Sequence, residues 1–552
     1  MSDDSTLDVV DLSLTLGHLK ILDAVSLSVR AGEIVAITGE SGSGKSMTAL
    51  AIMGLLPAGM RPSGQIQLDG RDMLALSEPE MCRLRGNHIG MIFQEPMTAL
   101  NPLKTIGDQV LETILIHRKS SKAAARLRAA EVLARVGLPP EKFSLSRYPH
   151  QLSGGQRQRV VIAMAIVLRP KFLIADEPTT ALDVTTQAQI LALLKDLVRQ
   201  EGMGMLIITH DLAVVGDLAD HILIMRHGEV LERGPTKQLF AAMSHPYTRM
   251  LFEASSHQVS LPPPPLEAAP LLQVCDVTRA YQLPRRGIFS APQLFRAVDK
   301  VNFTLRAGER LGLVGESGCG KSTLTRAILG LEPVQAGTIN LNGAPVWDGS
   351  RPNREVRRNI QVVFQDPYGS FNPRHKVARL ITEPYHLLDA PLSEQDRESA
   401  VSEALEAVGL VTGDGDKYPH EFSGGQRQRL AIARALILRP ELIVFDEAVS
   451  ALDVSVRAQI LDLIADLSTR FALSYLFISH DLSVIAHTCD FVAVMYLGQI
   501  VESAPTRKLF SETAEDLETQ LHIVRMRFGL VVPTRMRQSL TLVVRRTHVR
   551  RS

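Results

Sequence analysis
The 552-residue chain has only four cysteines, Cys82, Cys275, Cys319 and Cys489, and no two of them stand close together. Without a C-x-x-C pair, neither a zinc site nor a disulfide framework is expected, and a reducing cytoplasm fits. No run of 18 or more apolar residues occurs, so no membrane-spanning helix is expected. The opening MSDDSTLDVV is acidic and has no apolar stretch, so no signal peptide is expected there. Net charge is also nearly lacking. Sixty Lys and Arg against 59 Asp and Glu leave +1, with no global pull toward nucleic acid. The end of the chain is the exception, because Arg525–Ser552 holds eight Arg and no Asp, Glu or Lys. Such an arm suits a membrane surface or nucleic acid, but a divergent terminus with little order is the preferred reading.

What is present is an ordinary globular composition, 45% apolar and 22% charged, on a chain too long for one core. It is organised by an internal repeat. GESGSGKS at Gly39 returns as GESGCGKS at Gly315, an offset of 276. Gln94 in FQEP returns as Gln365 in FQDP, an offset of 271. SGGQRQR (Ser153, Ser423), the D-E pairs (Asp176, Asp446) and T/S-H-D-L (His210, His480) all return at 270. Five features in one order mean a duplicated domain. SSHQVSLPPPPLEAAP, with four consecutive prolines, reads as a semi-rigid spacer. The expected layout is therefore domain one over 1–254, a linker over 255–270, domain two over 271–511 and the Arg-rich tail over 512–552. The repeat fails at one place. His245-Pro246-Tyr247 should recur at 515–517, where Glu515, Asp516 and Leu517 stand instead.

Each glycine-rich loop follows an apolar strand (EIVAIT, RLGLV) and precedes a helical pattern, the context of a phosphate-binding loop. Backbone N–H groups of Gly39, Glu40, Ser41, Gly42, Ser43 and Gly44 would converge on phosphate oxygens. So would those of Gly315, Glu316, Ser317, Gly318, Cys319 and Gly320. Lys45 and Lys321 would reach the β- and γ-phosphates, and the Ser46 and Ser322 hydroxyls would ligate Mg²⁺. KFLIADE and ELIVFDE read as buried parallel strands ending in acids. Asp176 and Asp446 would hold Mg²⁺, and Glu177 and Glu447 could polarise an attacking water. Alone, a D-E pair at a strand end is as much a helix cap as a site; in register with a phosphate loop it becomes chemistry. A strand-end histidine is more often structural, but the duplicated position favours contact of His210 and His480 with a γ-phosphate. SGGQ opens a long apolar helix, with Ser153 and Ser423 as N-caps and exposed N–H groups at Gly154-Gly155-Gln156 and Gly424-Gly425-Gln426. An ordinary cap does not explain why the whole heptapeptide repeats.

These motifs resemble the ABC ATPase family over Leu7–Phe240 and Leu271–Phe510. The resemblance implies an α/β fold of two tandem cassettes, each with a mainly parallel core sheet, an antiparallel β part and a helical subdomain. It implies that S-G-G-Q of one copy closes on the nucleotide of the other, with Asp183 and Asp453 in the loops at that seam. It implies that Gln94 and Gln365 sense Mg²⁺, that His210 and His480 are switch residues, and that ATP and Mg²⁺ are the cofactors. On the crossed arrangement, Ser153→Arg is expected to impair hydrolysis at the Lys321 site more than at Lys45. Damage that stays with Lys45 in single-site variants would overturn it.

FQEPMTALNP, FQDPYGSFNP, YPHQLSGGQRQR and SHPYTRML are similar to the dipeptide and oligopeptide importer subgroup. That implies docking on two transmembrane permease subunits at the cytoplasmic face of a bacterial inner membrane, with an extracytoplasmic solute-binding protein. The rival is a soluble tandem ABC protein acting on ribosomes or DNA, which would carry a long charged linker or zinc fingers. A regulatory protein without turnover would lack Glu177 or Glu447.

The copies also depart from the family and from each other. Tyr281 matches an aromatic that stacks on adenine, and its counterpart in copy one is Leu16. Stacking contributes about 1–3 kcal/mol, so weaker ATP binding is expected at the Lys45 site. Titrating Lys45→Ala and Lys321→Ala variants tests this, and equal affinities would sink it. Copy two also has Phe422 where the signature's Leu is usual, and Ala448-Val449 where copy one has Pro178-Thr179.

Overall fold
The computed structural model describes residues 5–180, 182–255, 257–264, 268–282, 294–366, 369–450 and 452–511. The Arg-rich tail, Glu515–Leu517 and most of the stretch YQLPRRGIFSAPQLF (281–295) lie outside these residues. The chain divides into two compact units, whose main parts end and begin at His257 and Gln258.

In the first unit, β1 (Thr6–Leu16), β2 (Leu19–Arg30), β4 (Met60–Leu68) and β5 (Arg71–Asp72) form an antiparallel sheet in the order β2-β1-β4-β5. The core sheet runs β10-β9-β3-β8-β7-β6, from β3 (Ile34–Thr38), β6 (Ile89–Ile92), β7 (Phe172–Asp176), β8 (Gly204–Ile208), β9 (His221–Arg226) and β10 (Glu229–Pro235). All its neighbours are parallel except the β9–β10 edge pair. The apolar runs explain this. A parallel sheet covered on both faces wants continuous hydrophobic strands. Leu173, Ala175, Met205 and Ile207 face a core built with the helices Ile106–His117, Lys122–Arg135 and Gly154–Ile166. Phe172, Ile174, Leu206 and Ile208, on the other face, pack with the antiparallel sheet.

The second unit repeats the plan. Its antiparallel sheet orders β12-β11-β14-β15, from β11 (Pro270–Gln282), β12 (Leu294–Arg306), β14 (Ala336–Leu341) and β15 (Ala344–Pro345). A two-stranded sheet joins β16 (Trp347–Asp348) to β17 (Arg351–Pro352). The core sheet orders β18-β19-β20-β13-β21-β22, from β13 (Arg310–Val314), β18 (Ile360–Val363), β19 (Leu442–Asp446), β20 (Ser474–Ile478), β21 (Phe491–Tyr496) and β22 (Gln499–Pro505). Register fixes the alignment of the copies. Leu7 pairs with Leu68 as Leu272 pairs with Leu341, and both ladders slip at the same rungs, Val10/Ser13 and Cys275/Thr278. That spacing makes Leu16 the counterpart of Tyr281. Phe422, at the signature, is 5% exposed and part of the second unit's core, as Leu152 is of the first. The substitution is one of core volume and leaves Ser423 in place.

The linker region is tied to the second unit at Pro262, as well as at Ala268 and Ala269. The Arg310 side chain, 2% exposed, donates to Asp490 Oδ2 (2.7 Å) and Oδ1 (2.8 Å) and also to the carbonyl oxygen of Pro262. The first unit has Ile34 at the matching position, and Asp220 Oδ2 there accepts the Ile34 N–H, at 3.0 Å.

Candidate nucleotide site
The loop after β3 turns directly into the helix Lys45–Ile52, and the loop after β13 into Lys321–Ile328. Glycine is required where each loop starts. Gly39 has φ 153°, and a Cβ there would meet the Met225 carbonyl oxygen at 2.1 Å. At Gly315 it would meet Met495 O at 2.3 Å. Lys45 Nζ donates to the carbonyls of Gly39 (2.9 Å) and Glu40 (2.7 Å), and burial lowers its pKa. Lys321 Nζ does the same with Gly315 (2.7 Å) and Glu316 (2.9 Å). The sequence thus folds each lysine back over its own loop, where a phosphate would draw it.

The ends of β7 and β19 supply the carboxylates. Asp176 is 5% exposed, and its Oδ1 accepts from Ser46 Oγ at 3.1 Å. Burial pushes Asp176 and Asp446 up to about 6. Among the described residues, no hydrogen bond joins Ser322 to Asp446. The next residues, Glu177 and Glu447, adopt positive φ, 46° and 52°. Few non-glycine residues take that conformation. It turns the side chain out of the sheet, and each N–H is held by a carbonyl of the neighbouring strand, Ile208 or Ile478, at 2.9 Å.

Around Glu177 a polar cluster closes. Gln94 Nε2 donates to Oε2 at 2.8 Å, Thr180 Oγ1 to the same oxygen at 2.9 Å, and His210 Nδ1 lies 3.2 Å from Oε1. Burial alone would raise the Glu177 carboxyl, but the hydrogen bonds and charge of His210, with Thr180 and Lys45, bring it down to about 2. In the second unit the hydrogen bond from His480, whose Nδ1 lies 3.5 Å from Glu447 Oε1, lowers the Glu447 pKa and raises that of His480. Gln365 instead donates to Ser450 Oγ at 3.4 Å, and Ser450 to the Glu447 carbonyl at 2.9 Å. In the first unit Ser46 meets Asp176, and Gln94 and His210 meet Glu177; in the second His480 meets Glu447, while Gln365 reaches Ser450. Gln94 meets the catalytic-type glutamate, not Asp176.

The heptapeptide resolves into parts with different duties. Ser153 Oγ accepts the Gln156 N–H (3.4 Å) while Gln156 Oε1 accepts the Ser153 N–H (3.1 Å). Ser423 and Gln426 repeat this capping box at 3.3 and 3.0 Å. The second glycine is steric: a Cβ on Gly155 would stand 2.2 Å from Thr186 Cγ2, and one on Gly425 2.4 Å from Val456 Cγ1. The first glycines, Gly154 and Gly424, meet nothing closer than 3.5 Å, so their backbone stays approachable. Sequence reasoning missed the last stretch. Arg159 Nη1 donates to Val136 O and Arg429 Nη1 to Val408 O, both at 2.7 Å, tying the helix to the rest of its subdomain. Among the described residues, Gln158 and Gln428 are 1% exposed with both amide atoms unpartnered, a setting for a buried water.

Tyr281 is also fixed. Its hydroxyl donates to Glu332 Oε2 at 2.7 Å, and the Arg279 guanidinium lies 4.9 Å from its ring centre. Leu16 is 43% exposed.

The family model described as "ABC transporter" matches residues 22–180 and 298–450. The chain is similar to the peptidoglycan transport ATP-binding protein YejF of Agrobacterium fabrum, 47% identical over 499 residues, covering 90% of this chain and 91% of that one. It is also similar to the glutathione import ATP-binding protein GsiA of Escherichia coli K12, 47% identical over 524 residues, covering 88% and 83%. Among solved structures it matches cbiO1 of Clostridium perfringens, part of the ABC transporter complex cbiONQ, at 24% identity and TM-score 0.38, covering 48% and 97%. No helix among the described residues is long and apolar enough to cross a membrane. Two phosphate loops with their carboxylates, a family model spanning more than half of the sequence and relatives 47% identical along nearly all of it place the chain in the ABC transporter family, with two ATP-binding cassettes in one polypeptide.

Proposed function
We propose that this chain is the ATP-hydrolysing subunit of an importer for peptides or peptide-like solutes. It would work at the cytoplasmic face of the bacterial inner membrane on two permease subunits, with an extracytoplasmic solute-binding protein delivering the cargo. The observation that carries the reading is that both units keep the Asp-Glu pair with a histidine beside the glutamate, which favours turnover over mere nucleotide sensing. The relatives' names, peptidoglycan transport and glutathione import, support a peptide-containing solute.

Within each unit the geometry supports the following roles. Lys45 and Lys321 bind the β- and γ-phosphates, exchanging their carbonyl contacts for charge-assisted bonds. Glu177 and Glu447 orient the attacking water, and His210 and His480 hold those carboxylates in place. Ser46 with Asp176, and Ser322 with Asp446, offer the hard oxygen donors that suit Mg²⁺, with Gln94 and Gln365 nearby. Bound there, Mg²⁺ would neutralise charge on the phosphates.

The ionisation of the aspartates gives a pH test. Their carboxyls, raised to about 6, are protonated below that pH and cannot then ligate a cation. Mg²⁺ affinity in the presence of ATP is expected to fall toward about tenfold per pH unit below 6 and to be flat above 7. Constant affinity from pH 5 to 7.5 would remove Asp176 and Asp446 from the metal site. The transport reading is tested by affinity purification from membranes. Integral-membrane permeases are expected with the chain, and ribosomes or DNA in their place would overturn it.

A further inference from the structure
The segment that breaks the repeat touches the phosphate loop. After β10 the chain turns through Ser244-His245 into the helix Pro246–Ser255. Glu232, on β10, fixes that turn by accepting the Ser244 N–H (2.8 Å), the Ser244 hydroxyl (2.7 Å) and the His245 N–H (3.3 Å). His245 Nδ1 in turn accepts the Tyr247 N–H at 3.1 Å. Tyr247 is thereby aimed inward. It is 3% exposed, with the Arg226 guanidinium 4.7 Å from its ring centre. Its hydroxyl oxygen accepts the backbone N–H of Glu40, the second residue of the phosphate loop, at 3.2 Å. Arg226 follows Met225, the residue whose carbonyl closes on Gly39. The loop's first two residues are thus gripped by β9 on one side and by the Tyr247 hydroxyl on the other.

From this grip we infer that Tyr247 is a positioning residue for the Lys45 nucleotide site alone, setting the phosphate loop of the first cassette in its binding shape before ATP arrives. A loop already held in its bound shape loses less conformational freedom on binding. The second cassette keeps Glu502 at the position of Glu232 but has Tyr496 for Arg226, and Glu515-Asp516-Leu517 where His-Pro-Tyr would fall. The first cassette, which lacks the Tyr281 counterpart at Leu16, has this brace instead.

The inference rests on Lys45 being a nucleotide site, and the test separates the two. ATP affinity is measured with Mg²⁺ by calorimetric titration of the full chain. Tyr247→Phe keeps the ring and removes the hydroxyl. In a Lys321→Ala background, which leaves the first site, Tyr247→Phe is expected to weaken ATP about 2- to 10-fold, the range for one lost hydrogen bond. In a Lys45→Ala background it is expected to change nothing, and the nucleotide-free Tm is expected to hold in both. Unchanged affinity in the Lys321→Ala background overturns the role of Tyr247. So does an equal loss in both backgrounds, or a loss that tracks a lower nucleotide-free Tm. If Lys45→Ala alone leaves ATP binding untouched, the nucleotide site fails and the inference with it.

Discussion

Replacing Glu177 and Glu447 together by glutamine is expected to slow ATP turnover by about 10²- to 10⁴-fold, with ATP still bound. Glutamine preserves the shape but presents an NH₂ group where the structure needs an acceptor. At Glu177 that group would replace either Oε2, which accepts from the Gln94 amide and the Thr180 hydroxyl, or Oε1, which faces the His210 ring. A carboxyl held at about 2 is fully ionised at neutral pH and is a weak base. It suits the orientation of water better than outright removal of its proton, and the bonds from Gln94 and Thr180 must loosen before it can do more. Phosphate release at saturating ATP measures the effect. A loss below threefold would remove both carboxylates from the chemistry.

Arg310→Ala is expected to destabilise the second unit by about 3–5 kcal/mol, the cost of leaving one member of a buried ion pair without its partner. The guanidinium satisfies both oxygens of Asp490 and caps the Pro262 carbonyl. Truncation strands Asp490 Oδ1 and the Pro262 carbonyl and leaves Oδ2 the Arg310 backbone N–H, at 3.1 Å. Arg310→Ile is expected to cost less, since the first unit lives with Ile34 above Asp220. Urea unfolding followed on the second unit's transition gives the comparison. An unchanged midpoint for Arg310→Ala would show that water takes over the guanidinium's bonds.

Much of this molecule was legible in its residues because the signals were local. The loop–helix starts at Lys45 and Lys321 need glycine at fixed places, and the strands ending in Asp176 and Asp446 are apolar throughout. Capping by Ser153 and Ser423 is a four-residue pattern. Features set by tertiary approach were not legible. Nothing in S-G-G-Q says that its second glycine yields to Thr186 or Val456, thirty-one residues further on. Nor does the spacing of Gln94 and Glu177, 83 residues apart, say that they bond. His-Pro-Tyr stood out in the sequence only as an asymmetry between the copies, and its meaning came from the Tyr247 hydroxyl reaching Glu40.

The β1–β2 hairpin closes through Gly17-His18, with Leu16 opposite Leu19, whereas its counterpart pairs Gln282 with Leu294 across eleven further residues. The strands beyond keep the same rungs. Two natural versions of one hairpin, with a short and a long connection, amount to an insertion experiment already performed. Lengthening the first turn to match costs about 1.7 kcal/mol by loop-closure entropy. A reporter peptide placed at Gly17-His18, or a cysteine for dye attachment there once the exposed Cys82 and Cys275 are replaced, would therefore mark the first cassette and leave the second untouched, giving a spectroscopic handle on one half of the molecule.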